Sequence, residues 1–178
     1  LASFPVFTRK QATDVSYIAN ARKLLAMTDR SYPQFATHNA HTVAAVLHLA
    51  GEAGIGPQSY EFQRLHGMGE RLHDLVLTDR GTRCRIYAPV GAHRDLLAYL
   101  VRRLLENGAN SSFVNQIVDE DVAPETVAAC PLTMVEALAA IPSPVLKPGP
   151  DLFAPRKNSQ GWDLTDAAAL AVIEATRL

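Results

Sequence analysis

The 178-residue sequence has few cysteines, almost no net charge and no long apolar run. Its two cysteines, Cys84 and Cys130, are far apart and match no metal or redox spacing, so we expect reduced thiols in a cytoplasmic protein. A formal net charge of −1 gives no electrostatic reason to expect a nucleic acid or an anionic membrane as partner. The absence of a signal peptide and of a membrane-length apolar run predicts a protein with no transmembrane segment.

The apolar content is nevertheless high, at 48% of the residues, and it predicts a real hydrophobic core. The length is typical of one domain or of two small ones. The chain begins with Leu1 rather than Met, and an apolar run begins only a few residues later. We therefore expect a piece of a longer polypeptide.

Strand-like and helix-like patterns alternate through the first part of the chain. Extended runs are predicted at 4–10, 32–38, 59–65 and 84–88, and each is followed by a helical pattern. The strands therefore begin about every 24 to 28 residues. Parallel βα units of this size build either an open doubly wound sheet or a (βα)8 barrel.

Polar side chains cluster where these predicted strands end. They are Thr8, Arg9, Lys10, Thr37, His38, Asn39, Gln63, His66 and Tyr87. Thr8 and Lys10, two residues apart on a strand, would share a face. In a barrel all of these residues would meet at the C-terminal mouth, where active sites lie.

The predicted helix at 95–108 carries the most distinctive polar face. Asp95 is a helix-capping residue type and Gly108 a usual helix end, and the leucines between them form a broad apolar face. The remaining arc carries Tyr99, Arg102, Arg103 and Glu106. Two adjacent guanidinium groups beside a tyrosine can bind a carboxylate or a phosphate, but a solvated face with Arg–Glu pairs has the same pattern.

Two shorter motifs are weaker. His38 and His41 have the spacing of two metal ligands, but no second pair is evident, so a hydrogen-bonding histidine at a strand end is the other interpretation. The segment 66–69, His-Gly-Met-Gly, lies between a strand and a helix. Its glycines would let the backbone approach a flat or phosphorylated ligand closely.

The composition changes after residue 118. Seven of the eleven prolines lie between Pro124 and Pro155, and they predict a mostly extended linker at 141–158. A terminal helix is predicted at 165–177. We therefore divide the chain into a βα region at 1–118 and a linker with a helix at 119–178.

Five long motifs resemble the proline dehydrogenase domain of the bifunctional proline utilization A flavoenzymes. They are FTRK at 7–10, YPQFATHNAH at 32–41, YEFQRLHGMG at 60–69, CRIYAPVG at 84–91 and YLVRRLLENGANSSFVN at 99–115. The resemblance extends over nearly the whole chain, including the Pro-rich segment.

The resemblance implies the C-terminal portion of a (βα)8 barrel that holds FAD at its mouth. The strands beginning near 4, 32 and 60 would be the sixth to eighth, and the helix at 95–108 would lie over the mouth. The implied reaction is hydride transfer from L-proline to FAD, giving Δ1-pyrroline-5-carboxylate. The implied partners are the rest of the barrel and a downstream aldehyde dehydrogenase domain.

The resemblance also implies residue roles. Arg102 and Arg103 would bind the proline carboxylate, and Tyr99, Tyr87 and Leu65 would line the proline ring. The residues that would contact FAD are Thr8, Lys10, Thr37, His38, Gln63 and Glu106. No catalytic residue and no metal ligand is assigned.

The sequence also departs from the family pattern. The first five strands, the flavin-facing arginine and the substrate-side lysine and aspartate of the family are absent, and the loop at 77–82 looks short. Two alternatives therefore stay open: a structural fragment that only completes a barrel, and another flavin- or phosphate-binding barrel acting on a different small amino acid.

Overall fold

The structure, a computed structural model, describes residue 4, residues 6–108, residue 116, residues 119–159 and residues 161–177. Of residues 106–108 it describes the backbone only.

Three strands and four longer helices alternate in the first 108 residues. They are α1 (Lys10–Leu25), β1 (Gln34–Ala36), α2 (Ala40–Glu52), β2 (Glu61–Leu65), α3 (Glu70–Arg80), β3 (Arg83–Tyr87) and α4 (His93–Gly108). Short helices follow at α5 (Pro124–Val127) and α6 (Pro131–Glu136), then a 3-10 turn (Gly149–Asp151) and α7 (Ala167–Ala175).

The three strands form one parallel sheet in the order β1-β2-β3. Phe35 is level with Phe62, and Phe62 is level with Cys84 in the next strand. Adjacent strands thus follow one another in the chain, each joined to the next by a helix. The predicted α/β class with parallel strands is confirmed.

Aromatic side chains on one face of the sheet build the core. Phe35, Tyr60 and Phe62 are each at most 2% exposed, and their ring centroids lie 6.0 to 6.4 Å apart. Helices α1, α2 and α3 all contribute buried side chains to the same cluster, among them Ala21, Val46 and Val76. The helices therefore cover one face of the sheet.

The opposite face of the sheet is polar. Because side chains alternate along a strand, Glu61, Gln63 and Leu65 point away from the helices, and Arg85 and Tyr87 lie beside Gln63 and Leu65 in register. This inner face carries the strand residues that the family resemblance assigns to ligands.

The predicted strand at 4–10 is wrong in the described residues: none of them is a strand, and Lys10 begins α1. A strand at this place would have to pair with the outer edge of β1. The Ala36 carbonyl on that edge instead accepts a hydrogen bond from the Tyr17 hydroxyl, at 3.1 Å. Thr13 and Asp14, whose residue types favour the first position of a helix, lie inside α1 and do not begin it.

Helix α4 begins two residues earlier than predicted, so Asp95 lies in its first turn and does not cap it. The Ala92 carbonyl accepts from the Leu96 N–H at 3.2 Å, which sets the beginning of the helix. The apolar face of α4 is largely exposed, with Leu104 and Leu105 about 70% exposed.

The C-terminal region holds short helices and turns. Helix α7 is shorter than the predicted 165–177, and the Asp166 carboxylate caps it by accepting from the Ala168 N–H at 2.9 Å. The predicted linker at 141–158 contains the 3-10 turn and a cis Ala154–Pro155 peptide bond. Among the helices of the described part, none is long and apolar enough to cross a membrane.

Candidate functional site

The C-terminal ends of the three strands lie side by side. The Thr37 N–H donates to the Gln63 carbonyl at 3.3 Å, and the His66 N–H donates to the Tyr87 carbonyl at 2.9 Å. The parallel register places Leu65 level with Tyr87. Four of the predicted site residues, Thr37, Gln63, Leu65 and Tyr87, thus lie along one edge of the sheet.

His38 joins the ends of β1 and β2. Its Nε2 accepts a hydrogen bond from the Leu65 N–H at 3.1 Å. An accepting Nε2 places the proton of a neutral ring on Nδ1, which is then a donor. The prediction of a hydrogen-bonding histidine at a strand end is confirmed for His38. In the described residues no three His, Cys, Asp or Glu side chains form a group that could hold a metal ion.

A second histidine, which the sequence did not single out, holds the same turn from the other side. His73 on α3 is 2% exposed, packs on the Phe62 ring at 5.7 Å, and its Nε2 lies 3.0 Å from the Thr37 carbonyl. Since a carbonyl can only accept, Nε2 carries the proton. Burial lowers the pKa of His73, and the Arg64 charge adds to this, whereas the bond to Thr37 and the charge of Asp74 oppose it.

Gly69 lies between the two imidazole rings. Its φ is +63°, and a Cβ there would lie 3.1 Å from His38 Cδ2 and 3.4 Å from His73 Cδ2. A side chain at this position would therefore meet both rings and require a strained backbone. We call Thr37, His38, Leu65, Gly69 and His73 the strand-end group.

The loop that carries Gly69 is held by a buried cation on β2. Arg64 Nη1 lies 3.4 Å from the carbonyl oxygens of Leu65 and Met68 and from the Glu70 carboxylate. Arg64 is 7% exposed, so these contacts fix the course of the chain between β2 and α3.

An ion pair occupies the beginning of the inner face. The Glu61 carboxylate, 4% exposed, accepts from Arg85 at 2.6 and 3.1 Å and from the Gln34 amide at 3.0 Å. The hydrogen bonds from Arg85 hold the pKa of Glu61 below its usual range. Gln63 lies within 3.5 Å of the same carboxylate, so this network also orients a predicted cofactor contact.

Thr8 and Lys10 lie apart from the strand ends, and each makes a contact with a different part of the chain. The Thr8 hydroxyl accepts from the Ser143 N–H at 2.8 Å, which ties the beginning of the chain to the Pro-rich segment. Lys10 pairs with Asp14 one turn along α1. Lys10 also lines a cavity of about 140 Å³ with Asn39 and His41, next to the turn that follows β1.

The polar face of α4 carries the remaining predicted site residues. The Arg103 guanidinium lies over the Tyr99 ring, 5.3 Å from its centroid, and Arg102 is exposed. The Glu106 side chain lies outside the described residues. We call Tyr99, Arg102 and Arg103 the arginine face.

The structure therefore brings predicted residues together at two places, the strand ends and the arginine face, and it leaves Thr8 and Lys10 apart from both. The strand-end group also contains His73, the inner face adds Glu61 and Arg85, and Arg64 holds the loop after β2. The sequence singled out none of these four residues for a site, whereas Gly69 belongs to the 66–69 motif that it did single out. A signal was available for His73, since it lies three residues before Val76 on the face of α3 that is buried. Its partner Thr37 is 36 residues away in the chain, and no pattern in the sequence connects the two.

Comparison with known proteins places this chain in a family. The family model "Proline dehydrogenase" matches residues 1–116. The bifunctional protein PutA of Salmonella typhimurium is 52% identical over 190 residues, which covers 100% of this chain and 14% of that protein. PutA of Escherichia coli K12 is 51% identical over the same length and with the same coverage.

A solved structure agrees with the sequence relatives. The crystal structure of a Bradyrhizobium japonicum PutA mutant superimposes with a TM-score of 0.85 and 50% identity, covering 98% of this chain and 18% of that one. The chain thus spans only about a seventh of the length of the PutA relatives that it matches. The family match over residues 1–116, together with about 50% identity along the entire chain, shows that this chain belongs to the proline dehydrogenase family.

Proposed function

We propose that this chain is the C-terminal part of an FAD-dependent proline dehydrogenase domain within a bifunctional proline-catabolising enzyme. The reaction is oxidation of L-proline to Δ1-pyrroline-5-carboxylate. The observation that carries the proposal lies at the ends of the three strands: predicted cofactor and substrate residues converge at one edge of a parallel sheet, namely Thr37, His38, Gln63, Leu65 and Tyr87. In parallel α/β folds, ligands bind at this edge.

The (βα)8 barrel is part of the proposal. Strand order β1-β2-β3 with α2 and α3 on one face is the arrangement that a barrel repeats around its axis. In that arrangement the polar face with Glu61, Gln63 and Arg85 lines the barrel interior. The rest of the barrel and a downstream aldehyde dehydrogenase domain are the partners that we propose, with residues 119–178 as the linker toward that domain.

Membership of the proline dehydrogenase family implies a flavin cofactor, and we propose FAD. The residues present fit such a group. Gly67 has a φ of +81° and no atom within 4 Å of the position that a Cβ would take, so its backbone is open to a close ligand. The inner face carries amide and guanidinium groups from Gln63 and Arg85, which contact Glu61, and Arg85 is 60% exposed.

The cofactor contacts that we propose are Thr8, Lys10, Thr37, His38, Gln63 and Glu106. When bound, the flavin supplies the acceptor for the hydride that leaves the proline ring. The bond from the Leu65 N–H to Nε2 fixes the orientation of the His38 ring at this edge. The positive charge of Lys10 suits an anionic part of the cofactor.

The arginine face binds the substrate carboxylate in this proposal. Each guanidinium can donate two parallel hydrogen bonds to one carboxylate. The contact of Arg103 with the Tyr99 ring limits where its guanidinium points. Tyr99, Tyr87 and Leu65 then provide the apolar surroundings for the proline ring, so the carboxylate end and the hydride-donating end of the substrate are positioned separately.

Both cysteines are free thiols, which supports the cytoplasm as the compartment that we propose.

The absorbance spectrum of the full-length protein tests the proposal. We expect a bound flavin whose visible absorbance is bleached by L-proline under anaerobic conditions. A flavin that L-proline does not bleach would indicate a barrel acting on another small amino acid. A full-length protein without any flavin would support a structural fragment and overturn the proposal.

A further inference from the structure

The strand-end group contains one buried titratable side chain, His73, that no proposed ligand contact uses. Its imidazole is 2% exposed, and it lies on the helix side of the sheet, packed on the Phe62 ring. A polar side chain that is buried to this degree is costly unless it makes a specific hydrogen bond. It makes one, to the Thr37 carbonyl at 3.0 Å.

This hydrogen bond acts on the turn between β1 and α2. Thr37 is the last residue bonded to β2, through its N–H to the Gln63 carbonyl at 3.3 Å, and His38 follows directly. The Thr37 hydroxyl accepts from the Asn39 N–H at 3.1 Å, and the Asn39 side chain caps α2 by accepting from the His41 N–H at 2.9 Å. The Thr37 carbonyl is thus the point where α3 holds this turn.

A second contact between His73 and the turn involves Gly69. This residue separates the His38 and His73 rings, with its would-be Cβ at 3.1 and 3.4 Å from their Cδ2 atoms. The Nε2 of His38 is held by the Leu65 N–H, and the Cδ2 edge of its ring lies next to Gly69. Movement of either His73 or the Gly69 backbone therefore moves the His38 ring.

We propose that His73 is a positioning residue: by donating from Nε2 to the Thr37 carbonyl and packing behind Gly69, it fixes the Thr37–His38 turn in the geometry that holds the flavin. The proposal rests on the proposed function, since it concerns the same cofactor site. It assigns to His73 no contact with substrate or cofactor.

The test compares His73→Leu with His73→Gln in the full-length protein. Leucine fills the space but removes the donor. Glutamine carries an amide N–H at nearly the same reach as Nε2 and does not titrate. We expect the flavin dissociation constant to rise roughly three- to tenfold in His73→Leu, because a neutral hydrogen bond is lost, and to return near wild type in His73→Gln. The proline concentration for half-maximal reduction of the flavin-loaded fraction should change little in both variants.

A core control separates positioning from general destabilisation. Val76 lies on the same buried face of α3 and is 8% exposed. Val76→Ala lowers stability by leaving a cavity but does not touch Thr37. We expect it to keep wild-type flavin affinity. If Val76→Ala weakens flavin binding as much as His73→Leu, or if His73→Gln fails to restore it, His73 has only a structural role and the proposal is overturned.

A spectroscopic readout works even without flavin. Nitrogen NMR of the imidazoles should show wild-type His38 protonated on Nδ1 and His73 on Nε2. In His73→Leu the Nδ1–H fraction of His38 should fall, and unchanged His38 signals would contradict the proposal. This result is independent of whether L-proline bleaches the flavin, so the failure of the proposed function is distinguishable from the failure of this inference.

Gly69→Ala provides a second variant in case His73→Leu does not fold. It forces a side chain against His38 and adds the strain of a positive φ. Gly81→Ala is the matched control, because Gly81 has a φ of +67° with no atom within 4 Å of its would-be Cβ. We expect both to lose stability and only Gly69→Ala to weaken flavin binding. Equal flavin affinity in the two variants would mean that the Gly69 contact does not position His38, which overturns the proposal.

Discussion

The strand-end group and the arginine face differ in how they are held. Thr37, His38 and Leu65 are fixed by hydrogen bonds of 3.0 to 3.3 Å between strands and helices that share a buried core. Tyr99, Arg102 and Arg103 lie on a helix whose apolar side is largely exposed, with Leu104 and Leu105 about 70% exposed. This chain thus preorganises the cofactor half of the proposed site, whereas the substrate half depends on what covers α4.

The largest expected effect follows because the substrate half of the site depends on what covers α4. The isolated 178-residue chain should not oxidise L-proline, because the sheet in the described residues has only three strands and neither of its edges is paired with a further strand. Purified chain, supplied with FAD and L-proline, should show no flavin bleaching. A folded monomer of these residues that turns over proline would contradict the proposed division of the site.

The arginine face should carry recognition of the substrate carboxylate. Arg102→Met and Arg103→Met in the full-length protein should each weaken proline binding roughly ten- to a hundredfold, since one charge-assisted hydrogen bond contributes about 1.5–3 kcal/mol. Lysine replacements keep the charge but lose the planar fork, and should still be clearly harmful. Steady-state kinetics should show kcat falling less than kcat/KM.

Arg94→Met is the matched control for the arginine face. Arg94 lies on the same helix, its side chain is 89% exposed, and it pairs with Asp95 at 3.6 Å. We expect wild-type kinetics. A substrate analogue without the carboxylate should bind the arginine variants and the wild type equally. If both variants still prefer proline to this analogue as strongly as the wild type does, the carboxylate is bound elsewhere.

Lys10 should affect flavin retention more than proline binding. Lys10→Ala should lower flavin affinity roughly twofold to fivefold in the full-length protein, because the Lys10 charge is partly exposed to solvent and paired with Asp14. Lys23→Ala, in the last turn of the same helix, is the control and should retain flavin fully. Full flavin content with a raised KM for proline would instead assign Lys10 to the substrate.

The smallest effect concerns the edge of β1, which supports the strand-end group. Tyr17→Phe should reduce the free energy of unfolding by about 1 kcal/mol, because the hydroxyl donates to the Ala36 carbonyl at 3.1 Å. Burial raises the pKa of Tyr17 to about 12, above the usual tyrosine value of 10.0. The folded state resists loss of this proton, so Tyr17 contributes stability below pH 10 that is lost as the pH rises toward 12.

Denaturant unfolding of the full-length protein between pH 9 and 12 checks the Tyr17 prediction. The stability difference between wild type and Tyr17→Phe should shrink as the pH rises. A difference that stays constant through this range would mean that Tyr17 titrates alike in the folded and unfolded states.

The alternation of strands and helices was predictable because it depends on local pattern. Phe35 and Phe62, flanked by turn residues, marked β1 and β2, and the Gly-bounded leucine pattern marked α4. The strand at 4–10 was wrong because a strand exists only where a partner offers hydrogen bonds, and the outer edge of β1 is occupied by Tyr17. Apolar sequence alone does not carry that information.

The candidate site was predictable only in part. His38 could be recognised as a polar residue at the end of a predicted strand, and the arginine face as a polar face of a predicted helix. The family resemblance supplied their proposed roles. His73 and Glu61 did not stand out, because their function comes from partners that are distant in sequence: Thr37 for His73 and Arg85 for Glu61. Such contacts depend on the register of the sheet and on how α3 packs against it.

An anaerobic titration of the full-length protein with L-proline, followed by flavin absorbance, tests the central claim most directly, because it reads both halves of the site. The initial absorbance gives the flavin content, and the rate of bleaching against proline concentration gives the half-saturating concentration. We predict that His38→Ala lowers the initial absorbance with little change in half-saturation, and that Arg103→Met keeps the absorbance but shifts half-saturation by roughly tenfold or more. The reverse pattern, or a wild-type flavin that L-proline does not bleach, would contradict the account.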